Sequence, residues 1–173
     1  MDSRGISSSQ GTISLWYKPN YTTRSTIGLT HEILNLGPKT YTVGRIRIFN
    51  NREHQDIRVN HDPPPDLLSY TRLSSGIWYH LAYTWDSAAG SRVYYLNSVA
   101  NVTASGTWTP LAVPGRIYVG KSEDSSSIAD GAIDDLRIYD RSLSSLEIQS
   151  LFQGAAGLLD TLPPARPKGL RIR

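Results

Sequence analysis

The chain has 173 residues, enough for one domain with a sizeable core, and its ten Tyr, four Trp, 14 Gly and 10 Pro are typical of an all-β protein. It has no Cys, which excludes a disulfide framework and thiol chemistry. The net charge is +3, but residues 163–173 hold four basic and no acidic residues, so the rest is near neutral and dedicated nucleic-acid binding is not expected.

The first half of the chain predicts a series of strands. They cover residues 11–19, 26–36, 40–50 and 55–60. The first alternates apolar and polar residues and ends at Pro19, and the turn formers Gly37-Pro38-Lys39 join the second to the third. In the third strand Arg45 and Arg47 alternate with isoleucines, which predicts a sheet with one face in water.

The second half continues with short hairpins. Residues 77–86 are the strongest strand signal, and because they are apolar on both faces we expect them at the centre of a sandwich. Further strands are predicted over residues 92–96, 99–103 and 116–120. Asn97 and Ser98 form the turn between two of these strands, where Asn-Gly is the more usual pair.

An acidic pair opens the last strand, which follows Gly131. Simple alternation places Asp134 on one face with Leu136 and Ile138, opposite Asp135. A carboxylate on an apolar face is costly unless it is paired or bonded to backbone donors. We therefore expect Asp134 to have a specific partner.

A short helix is predicted directly after this strand. Ser144 and Glu147 stand at the spacing of a capping box, and apolar residues follow near helical spacing. The helix is expected over about 144–152. Gly154 is the natural place for it to end.

Three ordered segments carry a family resemblance. They are GTISLWYKP, GIWYHLAYTWDSAAGSRVYYLNSV, and RIYVGKSED followed by GAIDDLRIYDRSLSSLEIQSLF. Across residues 11–152 they resemble laminin-G-like modules of the concanavalin A-like lectin/glucanase superfamily. The resemblance implies an all-β, concanavalin A-like jelly-roll sandwich of two antiparallel sheets with one short C-terminal helix. Members usually open with an apolar strand that is missing here, since only polar residues 1–10 precede Gly11.

These observations divide the chain into three parts. We expect a loose N-terminal arm over residues 1–10, the laminin-G-like sandwich over 11–154, and a Pro-rich basic tail over 155–173. The end of the tail alternates like a strand, so we expect it to fill a sheet edge in its own subunit or a neighbour. The tail residues predicted to serve assembly are Arg166, Lys168, Leu170 and Ile172.

A glycosidase has to be considered, because the superfamily that this chain resembles includes such enzymes. A retaining glycosidase needs two carboxylates about 5–5.5 Å apart. The four Glu of this chain are widely separated, and adjacent Asp134 and Asp135 point to opposite faces of a strand. We therefore expect no catalytic site, and interpret Asp134 as a structural acid and His80 as a core histidine.

Metal binding has two weak candidates. Part of the family that the chain resembles binds calcium at the sandwich rim, and the corresponding loop here holds Glu123, Asp124 and Asp130. His61, together with His54, Asp56 and Asp62, lies near the triproline loop and could hold a divalent metal. Solvated polar loops explain both sets more simply, so no cofactor is expected, with calcium possible but not indicated.

Binding residues are predicted on strands and loops. The arginines Arg45, Arg47 and Arg58, with Arg52 and Lys39, could form a basic face for sulfated or acidic glycans. Aromatic side chains that could stack on sugars are Tyr21, Tyr41, Tyr70 and Trp108. A water-facing row of arginines or ordinary core packing remains an alternative for each.

Two functions follow from this sequence. The first is a non-catalytic recognition module of the adhesion type that binds glycan or protein surfaces. The second is a structural or decoration protein of a larger assembly such as a virus or phage particle, forming a homo-oligomer or contacting capsid or tail proteins through the tail and the arm. No membrane span and no signal peptide are predicted. The location is left unknown, with an extracellular module and a virion as the two possibilities.

Overall fold

The structure, a computed structural model, describes residues 6, 9–22, 30–36, 45–50, 56–61, 67–109 and 116–157, without the side chains of 155–157. The strands in these ranges are β1 Gln10–Pro19, β2 His31–Leu36, β3 Ile46–Asn50, β4 Ile57–His61, β5 Leu67–Ser69, β6 Tyr79–Asp86, β7 Ser91–Leu96, β8 Val99–Ser105, β9 Ile117–Val119 and β10 Gly131–Tyr139. One helix follows, α1 Ser145–Gly157. Within the described ranges no helix is long and apolar enough to cross a membrane.

The strands form two five-stranded antiparallel sheets. Sheet 1 has the order β10-β1-β6-β7-β8, and sheet 2 has the order β5-β4-β3-β2-β9. This arrangement with one C-terminal helix confirms the predicted sandwich. Several strands differ from their predicted bounds, for example the strand predicted at 77–86, which begins at Tyr79, and the one predicted at 99–103, which continues to Ser105. The short β5 was not predicted.

The two sheets bury each other's apolar faces. Ile13, Leu15 and Trp85 of sheet 1 and Ile46 and Ile48 of sheet 2 are fully buried in one cluster. Burial of each such side chain stabilises the fold by about 1.5–3 kcal/mol. Strand alternation fixes which residues enter this core, and their neighbours therefore point away from it.

The prediction for the faces of β10 is wrong. Trp16 of β1 pairs with Asp134, and two residues further back Ser14 pairs with Arg137, so β10 has one extra residue at this point. Asp135 is at φ 47°, which makes this a β-bulge. The bulge reverses the alternation. Ile133, Leu136 and Ile138 pack against the core, whereas Asp134 is exposed and accepts the Asp135 backbone N–H at 2.7 Å.

Helix α1 covers the outer face of sheet 1. Ser144 caps its N-terminus, because the Glu147 N–H donates to Ser144 Oγ at 3.3 Å and the Ser144 N–H donates to Glu147 Oε2 at 2.9 Å. Ile148 packs against the sheet, and Phe152 stacks on the Trp16 ring of β1 with 5.6 Å between centroids. The helix is longer than predicted, and Gly154 lies within it rather than ending it.

The β7–β8 turn keeps the tight geometry that Asn-Gly normally provides. Asn97 and Ser98 are at φ 49° and 66°, so both turn residues are left-handed, as in a type I′ turn. The Asn97 side chain accepts the His80 backbone N–H at 2.9 Å, which ties the turn to β6. A serine in this conformation is strained where glycine is not.

We therefore expect Ser98→Gly to stabilise the protein by roughly 0.5–1 kcal/mol, the relieved strain exceeding the entropy that glycine adds to the unfolded chain. Urea unfolding with a common m-value would measure this change. Ser91→Gly, at the first residue of β7, is the matched control and should destabilise, because glycine there adds only entropy to the unfolded chain. Equal effects of the two substitutions would contradict the turn assignment.

Candidate functional site

Polar side chains dominate the face of sheet 2 that points away from the core. Because paired residues in neighbouring strands point to the same side, the pairing aligns these side chains in two rows. One row is Tyr118, Asn35, Arg47 and Asn60, and the other is Glu32, Phe49, Arg58 and Leu68. These residues, together with Arg45, are called the polar face below.

Arg47 lies at the centre of the polar face and is held from two sides. Its Nε donates to Glu32 Oε1 at 2.9 Å, and its Nη2 donates to the other carboxylate oxygen. Its guanidinium also lies over the Phe49 ring, 3.7 Å from the centroid. A bidentate ion pair and an aromatic contact fix this guanidinium in one orientation.

The two other predicted arginines also have acceptors. Arg45 donates from Nε to Asn60 Oδ1 at 3.0 Å, and Arg58 donates from Nε to Asp56 Oδ1 at 3.1 Å. Arg45 is only 3% exposed, so the prediction of a water-facing row of arginines is wrong for this residue. The physical reason is that the pairing of β3 with β4 brings Asn60, which is distant in sequence, next to Arg45 as a hydrogen-bond acceptor.

The polar face has a buried layer and a more accessible one. Glu32 and Asn35 are 1% and 3% exposed, whereas the side chains of Arg47 and Arg58 are each 14% exposed. Tyr118 and Leu68 are half-buried. A ligand would therefore meet two guanidinium groups, a phenol ring and an aliphatic side chain, with acids and amides beneath them.

The buried layer is strongly polar. Burial raises the pKa of Glu32, although the charges of Arg47 and Arg45 act in the opposite direction. The side-chain oxygen of Asn35 is buried and accepts no hydrogen bond from the described residues. Buried polar atoms normally have partners, so such an atom marks a place where function can outweigh stability.

The predicted aromatic residues are not gathered at the polar face. Tyr21 is buried and stacks on His31, with 4.1 Å between ring centroids. Trp108 packs against the core, 5.5 Å from the His61 ring. Tyr70 is 79% exposed. Tyr41 lies outside the described residues, as do Lys39 and Arg52.

The predicted calcium residues have separate partners. Asp124 Oδ1 accepts the Ser126 backbone N–H at 3.1 Å, Asp130 Oδ1 accepts the Asn20 side-chain N–H at 3.1 Å, and Glu123 accepts the Tyr118 hydroxyl at 3.4 Å. No group of three or more His, Cys, Asp or Glu in the described ranges could hold a metal ion. The calcium site therefore stays a prediction.

His61 lies in the core and His80 lies beneath the helix. His61 is fully buried, with its Nδ1 2.7 Å from the Tyr83 hydroxyl. The metal site predicted with it stays a prediction, because His54 and Asp62 lie outside the described residues. His80 is 1% exposed, with Nε2 2.8 Å from Ser14 Oγ. No carboxylate bonds the second nitrogen of His80 within the described residues, so this pair lacks the orienting acid of a hydrolase triad.

The remaining predicted residues cannot be placed. The tail residues Arg166, Lys168, Leu170 and Ile172 lie outside the described part of the chain, as do His54 and Asp62. By contrast, Glu32, Asn35, Phe49, Asn60 and Tyr118 belong to the polar face and were not predicted. The alternation around Arg45 and Arg47 was the only signal that pointed toward this face.

Comparisons with known proteins agree with the fold. A family model described as the concanavalin A-like lectin/glucanases superfamily matches residues 2–149. A rat protein, "Sushi, von Willebrand factor type A, EGF and pentraxin domain-containing protein 1", is 27% identical over 88 aligned residues, and the match covers 46% of this chain. The match spans only 2% of that curated relative's length.

Two solved structures are similar over most of the chain. Domain 4 of the Geobacillus stearothermophilus extracellular arabinanase AbnA, in complex with arabinotriose, has a TM-score of 0.65 and 22% identity over 88% of this chain and 70% of that one. A putative carbohydrate-binding protein from Bacteroides ovatus has a TM-score of 0.69 and 14% identity over 86% of this chain and 42% of that one. At these identities the likeness shows the fold alone.

Proposed function

The chain belongs to the concanavalin A-like lectin/glucanase superfamily, and from that premise we propose that it is a non-catalytic module that binds glycans through its polar face. The fold by itself does not select this function, because the superfamily includes both binding modules and enzymes. The proposal therefore depends on the side chains of the polar face.

The observation that carries the proposal is the row Tyr118, Asn35, Arg47 and Asn60 across four strands. It places an aromatic ring, two amides and a guanidinium side by side at a strand spacing of about 4.8 Å. Sugars offer hydroxyl groups that both donate and accept, together with apolar ring faces. The Arg47 guanidinium, the more accessible polar group of this row, matches the former, and the Tyr118 ring matches the latter, while the two amides lie buried beneath them.

The carboxylates of this region support binding rather than hydrolysis. Glu32 is committed to Arg47 and Asp56 to Arg58, so neither is positioned as a free acid or base of a two-carboxylate site. Similar proteins offer further support, since one is a domain solved with arabinotriose and another is a putative carbohydrate-binding protein. Binding to a protein surface is the alternative ligand class.

The test is a binding measurement with a matched pair of tyrosine substitutions. Affinity electrophoresis against arabinan, mannan, β-glucan and heparin would first identify a retained polysaccharide. Tyr118→Ala is then expected to weaken its binding about tenfold, equivalent to about 1.4 kcal/mol, because a stacking ring is lost. Tyr70→Ala removes a 79% exposed tyrosine elsewhere and should leave binding unchanged. Equal affinities of the two variants, with melting temperatures preserved, would exclude the polar face.

The assembly function has a different basis. It depends on residues 163–173, which lie outside the described residues, and so it stays a prediction.

A further inference from the structure

The polar face contains a carboxylate that the proposed function does not yet explain. Glu32 is 1% exposed, but its two oxygens accept both hydrogen bonds from the Arg47 guanidinium. The Arg47 side chain is 14% exposed, so it is more accessible than the acid beneath it. A buried acid thus lies directly beneath the cation that a ligand would meet.

We propose that Glu32 determines the charge preference of the polar face, restricting it to neutral polysaccharides and rejecting sulfated or uronate-rich ones. The inference rests on the proposed function, since it assigns the ligand class of the same site. It also replaces the expectation, drawn from the sequence, that these arginines attract anionic glycans.

The charges around the face support this assignment. The cations are Arg45, Arg47 and Arg58, and the carboxylates are Glu32 and Asp56, each bonded to one of the arginines. The negative charge of Asp124 also reaches Glu32. Lys121 and Glu123, which both contact Tyr118, add one charge of each sign, so among the described residues four cations face four carboxylates. A sulfate that bound Arg47 would have to compete with a bidentate partner that is already in place.

Removal of the Glu32 charge should reverse the preference. In Glu32→Gln the side chain keeps its size and one acceptor oxygen, but Arg47 becomes an uncompensated cation in a sheltered position, where charge interactions are strong. We expect this variant to bind heparin and dextran sulfate at least tenfold more tightly than the wild type does. Binding to a neutral polysaccharide should weaken, because Arg47 loses its fixed orientation.

The experiment measures the affinities of the wild type and the variant for heparin, dextran and dextran sulfate, and for the neutral polysaccharide identified above. Dextran and dextran sulfate share one backbone and differ only in their sulfate groups. Asp140→Asn is the control, because it makes the same charge change at an exposed position after β10, away from sheet 2. Thermal melts confirm folding. The wild type alone gives a second measurement: its binding to the neutral polymer should change less than about twofold between about 50 and 500 mM NaCl, since no net charge is neutralised.

The outcomes separate the two proposals. A tenfold gain for heparin in Glu32→Gln, without a gain in Asp140→Asn, supports the inference. Equal heparin affinities of these two variants would overturn the inference, and so would a wild type that binds heparin more tightly than the neutral polysaccharide and releases it at high salt. In either case the proposed function still stands if Tyr118→Ala weakens binding. A protein that retains no polysaccharide under any of these conditions overturns both.

Discussion

Two buried histidines are expected to contribute a loss of about 4 kcal/mol in the free energy of unfolding when the pH falls from 7.5 to 5, because they resist protonation in the folded state. Burial lowers the pKa of His61 to about 3 and that of His80 to about 4, from an ordinary value of 6.5. A loss of this size is a large part of the stability of a typical domain.

The environments of the two histidines explain these shifts. His61 is surrounded by the rings of Tyr83, Trp85 and Trp108 within the core, and the charge of Arg92 further disfavours an imidazolium. His80 lies beneath the helix, 5.4 Å from the Trp16 ring. In both places protonation would create a positive charge in an environment where water cannot solvate it.

The sign follows from proton uptake. Below pH 6.5 the unfolded chain protonates both imidazoles, whereas the folded protein does so only near pH 4 for His80 and pH 3 for His61. The unfolded state therefore binds more protons, and stability falls as the pH falls. At pH 5 each histidine contributes about 2 kcal/mol of this loss.

Urea unfolding at pH 7.5, 6 and 5 would measure the effect. His61→Gln and His80→Gln should each remove about half of the pH dependence, whatever their effect on stability at pH 7.5. The variants are needed because the raised pKa of Glu32 acts in the opposite direction in the wild type. Stability that stays constant from pH 7.5 to 5 in the wild type and in both variants would rule out buried neutral histidines.

Local sequence patterns were enough to predict much of the fold. The alternation of Ile13, Leu15 and Tyr17 identifies β1, because each of these side chains must enter the core. The Ser144 and Glu147 spacing locates the start of α1, because capping is a contact between residues three apart. Each of these signals depends only on residues close together in the chain.

The candidate site could not be predicted in the same way. Arg47 and Glu32 are 15 residues apart, and only the pairing of β2 with β3 brings them together. A register shift after Glu32 hides which face of β2 that residue occupies. The bulge at Asp135 misled the prediction for β10 in the same manner, since one extra residue reverses the alternation. Register is a property of two strands, and a single strand's sequence does not contain it.

Gly131→Ala is expected to destabilise the protein by about 3 kcal/mol or more, through a clash between backbones. Gly131 begins β10 opposite Pro19, the last residue of β1. An added Cβ would overlap the carbonyl oxygen of Lys18 and lie 3.0 Å from Pro19 Cα. A flexible side chain could move away from such a contact, but these atoms belong to the strand with which β10 pairs.

Gly154→Ala provides the matched control for this prediction. Gly154 lies within α1, and a Cβ there would meet nothing within 4 Å. Alanine should therefore stabilise the protein by roughly 0.5–1 kcal/mol, its advantage over glycine in a helix. Thermal and urea unfolding of both variants should give changes of opposite sign. If Gly131→Ala were as stable as the wild type, β1 and β10 could not be as close as their pairing requires, and the bulge that places Asp134 on the outer face would have to be reassigned.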